Sequence, residues 1–193
     1  RAERAAAARL RLDHLAAAEH FGEAARILAP LGEPATWEYL LEEATSLQAQ
    51  GHERGDNEAL RLAIVRYRSV LEQTSSEDHP DTWAMIQNDL ANALATLGRR
   101  DSGATRLEEA VAAYRAALEK CARERVPLQW AMTQNNLGSA LWMLGERDSD
   151  TARLEESVVA YSAALEECIR ERVPLDWAKT QNNLGNTLRS LGE

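Results

Sequence analysis

The residues of this 193-residue chain that can do acid-base, nucleophilic or metal chemistry are few and poorly arranged for it. His14, His20, His52 and His79 lack any neighbouring set that would make a nucleophile and its base, and we read all four as exposed helix-end or turn residues. His14 and His20 are six apart and so do not share a helix face, and neither HExxH nor CxxC spacing exists to hold zinc. The carboxylate pairs Glu42-Glu43, Glu108-Glu109 and Glu155-Glu156 are adjacent in sequence, so on a helix they diverge, and they read as solvated faces. Cys121 and Cys168 read as buried apolar fillers on separate helices, reduced and too far apart for a disulfide. The glycines stand where helices are expected to end, not in a phosphate-binding loop. No catalytic set, metal site or cofactor site emerges, and we expect no enzyme activity.

Amides are the exception. Asn88 and Asn92, Asn135 and Ser139, and Asn182 and Asn186 are three i, i+4 pairs at 47-residue offsets, each pair lying along one helical stripe. An asparagine side chain both donates and accepts, which suits recognition of an extended peptide backbone. Beside this stripe two positions change from copy to copy: Met85, Met132 and Lys179, then Ala95, Trp142 and Arg189. Constant amides flanked by variable side chains form the pattern of a surface that grips backbone and selects among side chains. Trp142 reads equally as a ligand anchor, since tryptophan is a common interface hot spot, and as a residue that packs on a neighbouring repeat.

The elements that position these residues are copies of one unit. Trp83, Trp130 and Trp177 are 47 apart, as are Pro80, Pro127 and Pro174, then Tyr67, Tyr114 and Tyr161, and Gly51, Gly98, Gly145 and Gly192. Residues 104–146 and 151–193 agree at about 30 of 43 positions. Each unit resolves into two helices. Helix A is expected from near Trp130 to Leu144, opened by Pro127 and closed by Gly145. Asp148, Ser149 and Asp150 can cap the next helix, and helix B carries Leu154, Val158, Tyr161, Ala164, Leu165 and Cys168 on one face. Small residues recur at one place in helix A (Ala44, Ala91, Gly138, Gly185) and one in helix B (Ala63, Ala110, Ser157), where paired helices must approach closely. The tryptophans that open each helix A are expected to pack on the end of the preceding helix B, near Cys121 and Cys168.

Asn136-Leu137-Gly138 followed by Leu141 and Gly145, repeated as Asn183-Leu184-Gly185, Leu188 and Gly192, resembles helix A of the tetratricopeptide repeat. Ala110, Tyr114, Ala117 and Leu118, repeated as Ser157, Tyr161, Ala164 and Leu165, resemble its helix B. The standard unit has 34 residues, and the surplus of about 13 is expected in a longer A-to-B turn and in an extended end of helix B with the linker to the next unit. The segment 78–84 leading into Asn88-Asp89-Leu90-Ala91 is similar to the long repeats of kinesin light chains, which bacterial multidomain proteins also carry. The resemblance implies an all-α fold, an α-solenoid of stacked antiparallel hairpins in a right-handed superhelix, its concave side lined by A helices. It also implies a protein-protein interaction module that holds a peptide on concave asparagines. The candidate ligand-facing residues are Asn88, Asn92, Asn135, Ser139, Trp142, Lys179, Asn182, Asn186 and Arg189. Only Lys179 and Arg189 supply positive charge there, so an internal segment of a partner fits better than a gripped C-terminal carboxylate.

The organisation expected is an N-terminal helical cap or degenerate repeat (1–33), three repeats (34–80, 81–127, 128–174) and helix A of a truncated fourth (175–193). In the cap, one helix is expected over Ala2–Glu19 and a second after Gly22, ended by Pro30 and Pro34. The chain opens on Arg1 and is expected to be a piece of a longer, bacterial-type signalling or scaffold protein in the cytoplasm. Self-association end to end, a spacer role, or service as the sensor of an enzyme or ATP-dependent regulator encoded outside this chain are the alternatives. Composition agrees with the fold: Val and Ile together make about 6% of the chain, too little for a large sheet. Twenty-two basic against 31 acidic residues, net −9, argue against nucleic acid as a partner. No apolar run is long enough to span a membrane.

Overall fold

The computed structural model describes residues 3–5, 8, 13–31 and 36–192, and among these the regular structure is helical, without strands. Two compact units divide the chain, Arg1–His79 and Pro80–Glu193.

In the first unit α1 (His14–Leu28) is followed by a 3₁₀ turn, Ala29–Leu31, then α2 (Thr36–Arg54) and α3 (Asn57–Gln73). Asp13 caps α1, its carboxylate accepting from Ala16 N at 3.1 Å, and Asp56 caps α3 by accepting from Glu58 N and Ala59 N, both at 3.0 Å. The break expected at Gly22 does not occur. Gly22 lies inside α1 because α2 passes so close that a Cβ there would sit 2.8 Å from the Glu43 carboxylate. Of the helix expected over Ala2–Glu19, residues 3–5, 8 and the stretch from His14 are helical and Asp13 interrupts it as the cap of α1; residues 2, 6, 7 and 9–12, and Pro34, lie outside the described residues.

The second unit holds α4 (Pro80–Arg100), α5 (Thr105–Lys120), α6 (Pro127–Asp148), α7 (Thr151–Glu167) and α8 (Pro174–Gly192). Sequential helices pack as hairpins, and α6 also touches α4 and α8, so the A helices form one layer. Pro127 opens α6 at its first turn, where its missing N–H costs nothing. Asp150 caps α7 through Ala152 N and Arg153 N.

Three of the glycines read as helix ends, Gly51, Gly98 and Gly145, are interior, whereas Gly192 is the last residue of α8 and Gly55, φ 73°, directly follows α2. Helix α6 continues three residues past Gly145 and closes on Ser149 in the left-handed conformation, φ 53°. The reason is a recurring contact: a Cβ on Gly51, Gly98 or Gly145 would meet Leu60, Leu107 or Leu154 at 2.4, 3.0 or 2.6 Å. Each of these leucines is almost wholly buried, a contribution of roughly 1.5–3 kcal/mol apiece, and it reaches that burial only because the facing helix has no side chain there. The surplus over a 34-residue unit therefore lengthens helix A, and the A-to-B connection is short. Helix B is not extended either. It ends at Lys120 or Glu167, and Cys121 or Cys168 forms its C-cap.

The tyrosines fill the hairpin centres as expected, with Tyr67, Tyr114 and Tyr161 at 0, 2 and 2% exposure. At Gly138 the ring of Tyr161 would lie 2.9 Å from a Cβ, and Ser157 Oγ donates to Gly138 O at 2.9 Å, so two small residues bring the backbones together. Trp130 packs on the Ala84, Ala117 and Cys121 cluster and also on the one containing Ala131, Ala164 and Cys168. Arg123 stacks over its ring at 4.7 Å, as Arg170 does over Trp177 at 5.6 Å. Ion pairs join successive repeats along the B helices: Arg115 with Glu156 (2.6 Å), Arg123 with Glu166 and Glu167 (2.7 Å each), Arg153 with Glu108 (3.4 Å). They are half-exposed and individually weak. With Arg106 on Asp101 and Arg125 on Asp81, they give five arginines of this unit a carboxylate partner.

Three chemistry-bearing groups differ from expectation, of which His20 lies half-buried inside α1 and not at a helix end. His14 is buried, not exposed, and its Nε2 lies 2.9 Å from Glu53, whose carboxyl is held below its usual range by that hydrogen bond. Glu43 is buried and paired with Arg66 at 2.9 Å rather than solvated. Both act between helices of one unit. The thiols of Cys121 and Cys168 are free and buried.

Candidate functional site

The expected amide stripe runs along α4, α6 and α8, and much of it is occupied in joining helices. Thr133 Oγ1 donates to Asn88 Oδ1 at 3.3 Å, Asn136 Nδ2 to Asn92 Oδ1 at 3.1 Å, and Asn183 Nδ2 to Asn135 Oδ1 at 3.2 Å. Each bond crosses from one A helix to the next. Asn92 and Ser139 also turn inward, accepting from the buried hydroxyls of Tyr114 (2.7 Å) and Tyr161 (2.9 Å). A buried phenol left without an acceptor would cost about 1–3 kcal/mol, which explains a polar residue at both positions. In the first two pairs the second member, Asn92 or Ser139, reaches a core tyrosine, while Asn88, Asn92 and Asn135 accept from the next A helix.

Asp89 stands in the place of Asn136 and Asn183. Burial pushes its carboxyl up to about 6, against the opposing effect of hydrogen bonds from Asn88 and Asn92. Burial raises the Tyr114 hydroxyl as well, with the charge of Asp89 adding to it.

Between α6 and α8 the A-helix layer opens into two hollows. One is lined by Met132, Asn135, Asn136, Asp176, Lys179 and Thr180, with Cys168 at its base. The other is lined by Ser139, Trp142, Met143, Asn183 and Asn186, with Tyr161 behind them and Arg99 arriving from the end of α4. Of the residues singled out in the sequence, Asn135, Ser139, Trp142, Lys179 and Asn186 are brought to this groove. Arg189 reaches it through Asn186, to whose Oδ1 it donates at 3.5 Å. Asn88, Asn92 and Asn182 do not line it, although Asn182 is exposed on the same helix.

Arg99 was not legible as a site residue, because Gly98 reads as the end of helix A and places Arg99 in a turn. The helix in fact continues through Arg100, which carries the guanidinium toward the groove. Asn183 and Met143 were missed for a different reason: one belongs to the general packing signature, and the other varies beside a residue that also varies.

Helix hairpins recurring every 47 residues, joined by A-layer amides and B-layer ion pairs, define a helical-repeat protein. Residues 83–123 and 130–167 match the family model of the tetratricopeptide repeat, covering α5, α7 and most of α4 and α6. These two segments are tetratricopeptide repeats. No curated protein matches it in sequence. Repeats of this family generally mediate protein-protein interaction and are typically non-catalytic. Among the described residues no helix is long and apolar enough to cross a membrane, and no group of three or more His, Cys, Asp or Glu side chains is placed to hold a metal ion.

Proposed function

We propose that this chain binds a peptide segment of a partner protein on its A-helix face, the concave face expected of a tetratricopeptide superhelix, with the groove between α6 and α8 as the principal seat. The observation that carries the reading is that two hollows open between α6 and α8, one lined by Asn135 and Lys179 and the other by Ser139, Trp142 and Asn186, mixing amides, a tryptophan and a cation. Asn88 and Asn92 extend the polar surface onto α4, and Asn182 and Arg189 flank the groove on α8. In this reading the array comprises repeats 34–80, 81–127 and 128–174, a helix A over 175–193, and a cap over 1–33. It serves a larger cytoplasmic signalling or scaffold protein and carries no catalytic centre of its own.

Affinity capture from a lysate, comparing the chain with a Trp142→Ala/Asn186→Ala variant and identifying bound proteins by mass spectrometry, tests the site. A partner retained by the parent and lost from a variant that still melts cooperatively supports it. The same set captured by both forms refutes it.

A second reading has one observation in its favour. On α8 the side equivalent to the one α6 turns toward α7 exposes Leu188 at 51%, with Leu184 and Leu191 half-buried, an apolar face suited to self-association. Light scattering across a concentration series decides it: rising mass favours self-association, and a constant monomer rejects it.

A further inference from the structure

On α8 the residues Leu175, Ala178, Gln181, Asn182, Gly185 and Leu188 form one exposed stripe at helical spacing. Leu175 is 84% exposed, the largest value for a big apolar side chain among the described residues, and Leu188 is half-exposed. At Gly185 a Cβ would meet nothing within 4 Å, so the stripe has a notch near its middle. The matching stripe on α6, from Leu128 to Leu141, is the guide to what such a surface accepts. There α7 folds back across it, Ala131 and Leu141 are buried, and the Tyr161 ring fills the notch at Gly138. The face of α8 is thus shaped for an antiparallel helix, and among the described residues none covers it.

The stripe also reads alike from either end: a leucine, a small residue, two amides, a small residue, a leucine. That order is self-complementary under a two-fold axis, which sets one helix against the reverse of its copy. With the axis crossing between Gln181 and Asn182, Ala178 comes level with Gly185 of the second copy, and Leu175 with its Leu188. Small residue against small residue lets the two helices approach closely, so the notch closes without a tyrosine. Gln181 and Asn182 meet their own counterparts near the axis, and amides suit that place because each donates and accepts. Arg189, also exposed, lays its stem beside Leu175 of the second copy and keeps its charge in water.

Resting on the self-association reading above, we infer that the chain forms a two-fold dimer in which α8 packs antiparallel on α8 of a second copy, in this register. One helix pair buries less than the ~1,200 Å² at the lower end of stable interfaces, so the dimer is weak, with a Kd of roughly 10–100 μM.

Sedimentation equilibrium of the full chain, at concentrations bracketing that value, tests the association, and oxidative cross-linking tests the register. We expect the mass to rise from monomer toward dimer and no further. Leu188→Glu brings a carboxylate against apolar surface and should weaken the dimer about tenfold or more. The position is exposed, so this variant is expected to melt like the parent, and this is checked alongside. Asn182→Cys lies beside the axis, where two copies come within disulfide reach, and a cross-linked dimer should accumulate. Ala178→Cys is the control, because in this register its two copies stand about seven residues, or ~10 Å, apart along the helices and should not link. Cys121 and Cys168 are buried and do not interfere. A dimer indifferent to Leu188→Glu, or equal cross-linking of the Asn182→Cys and Ala178→Cys variants, overturns the inference and leaves self-association standing. A monomer at every concentration overturns both.

Discussion

Replacing Gly145 by alanine removes a residue of low helix propensity from the last turn of α6, so on propensity alone it should stabilise by up to about 1 kcal/mol. The packing opposes this. The added methyl would lie 2.6 and 2.7 Å from Leu154 Cδ2 and Cγ and 3.1 Å from Asp150 O. The side chain cannot swing clear, because Leu154 is only 4% exposed and the contact reaches its branch point. Nor can the backbone yield freely: Asp150 O accepts the first-turn bond from Leu154 N at 3.2 Å, and the Asp150 carboxylate caps α7. Relieving the clash means lifting the start of α7, an overpacking cost of about 1–3 kcal/mol, with part of a cap worth about 1 kcal/mol at risk. The net expectation is a loss of about 1–2 kcal/mol. Gly185→Ala is the control, since a Cβ there meets nothing within 4 Å and only the propensity gain of up to about 1 kcal/mol applies. Urea unfolding followed by far-UV circular dichroism, with melting temperatures alongside, should separate the two variants by about 2–3 kcal/mol, or roughly 5–10 °C. Gly98→Ala, whose nearest contact is 3.0 Å, should fall between them. If Gly145→Ala and Gly185→Ala shift stability in the same direction by similar amounts, the account of these glycines as contact residues is wrong.

Asp89→Asn should stabilise the chain at neutral pH and not in acid. With the folded carboxyl raised to about 6 from a reference of 3.8, the native state holds the proton more tightly than the unfolded state. Parent stability therefore falls as pH rises from about 4 to about 6 and is flat above, a penalty of about 1–3 kcal/mol that the variant lacks, as melts at pH values below and above this window will show. Asp150→Ala should cost about 1 kcal/mol through the lost cap of α7. Ala104→Asp should gain a similar amount, because Ala104 is the N-cap of α5 and makes no side-chain cap; chemical denaturation measures both. The thiols of Cys121 and Cys168 are raised by burial, so neither should react with a disulfide reagent until denaturant is added, whereupon both should titrate.

The period, the two helices per unit and the tyrosine-over-small-residue contact were legible in the sequence because each is a one-dimensional pattern: the 47-residue recurrence, the 3.6-residue spacing of apolar positions, and the pairing of Gly138 or Ala91 with a tyrosine. The helix ends were misjudged where a residue has two uses. Glycine both terminates helices and admits a neighbouring helix, and at Gly22, Gly51, Gly98 and Gly145 the second use prevails. His14 and Glu43 read as surface residues because their partners, Glu53 and Arg66, are 39 and 23 positions away, with nothing in local composition to announce them.

The same division runs through the candidate site. That Asn88 and Asn92, Asn135 and Ser139, and Asn182 and Asn186 lie on common stripes follows from helical geometry alone, and so does the placing of Trp142 and Lys179 beside them. Which amides bond to a neighbouring helix, which accept from a tyrosine and which open onto a groove depends on the separation and rotation of adjacent helices. Those quantities come from packing large against small across the hairpins. Arg99 shows the difference most plainly. Its position in the chain assigns it to a turn, and the contact of Gly98 with Leu107 keeps it in the helix and turns its charge toward a groove one repeat away.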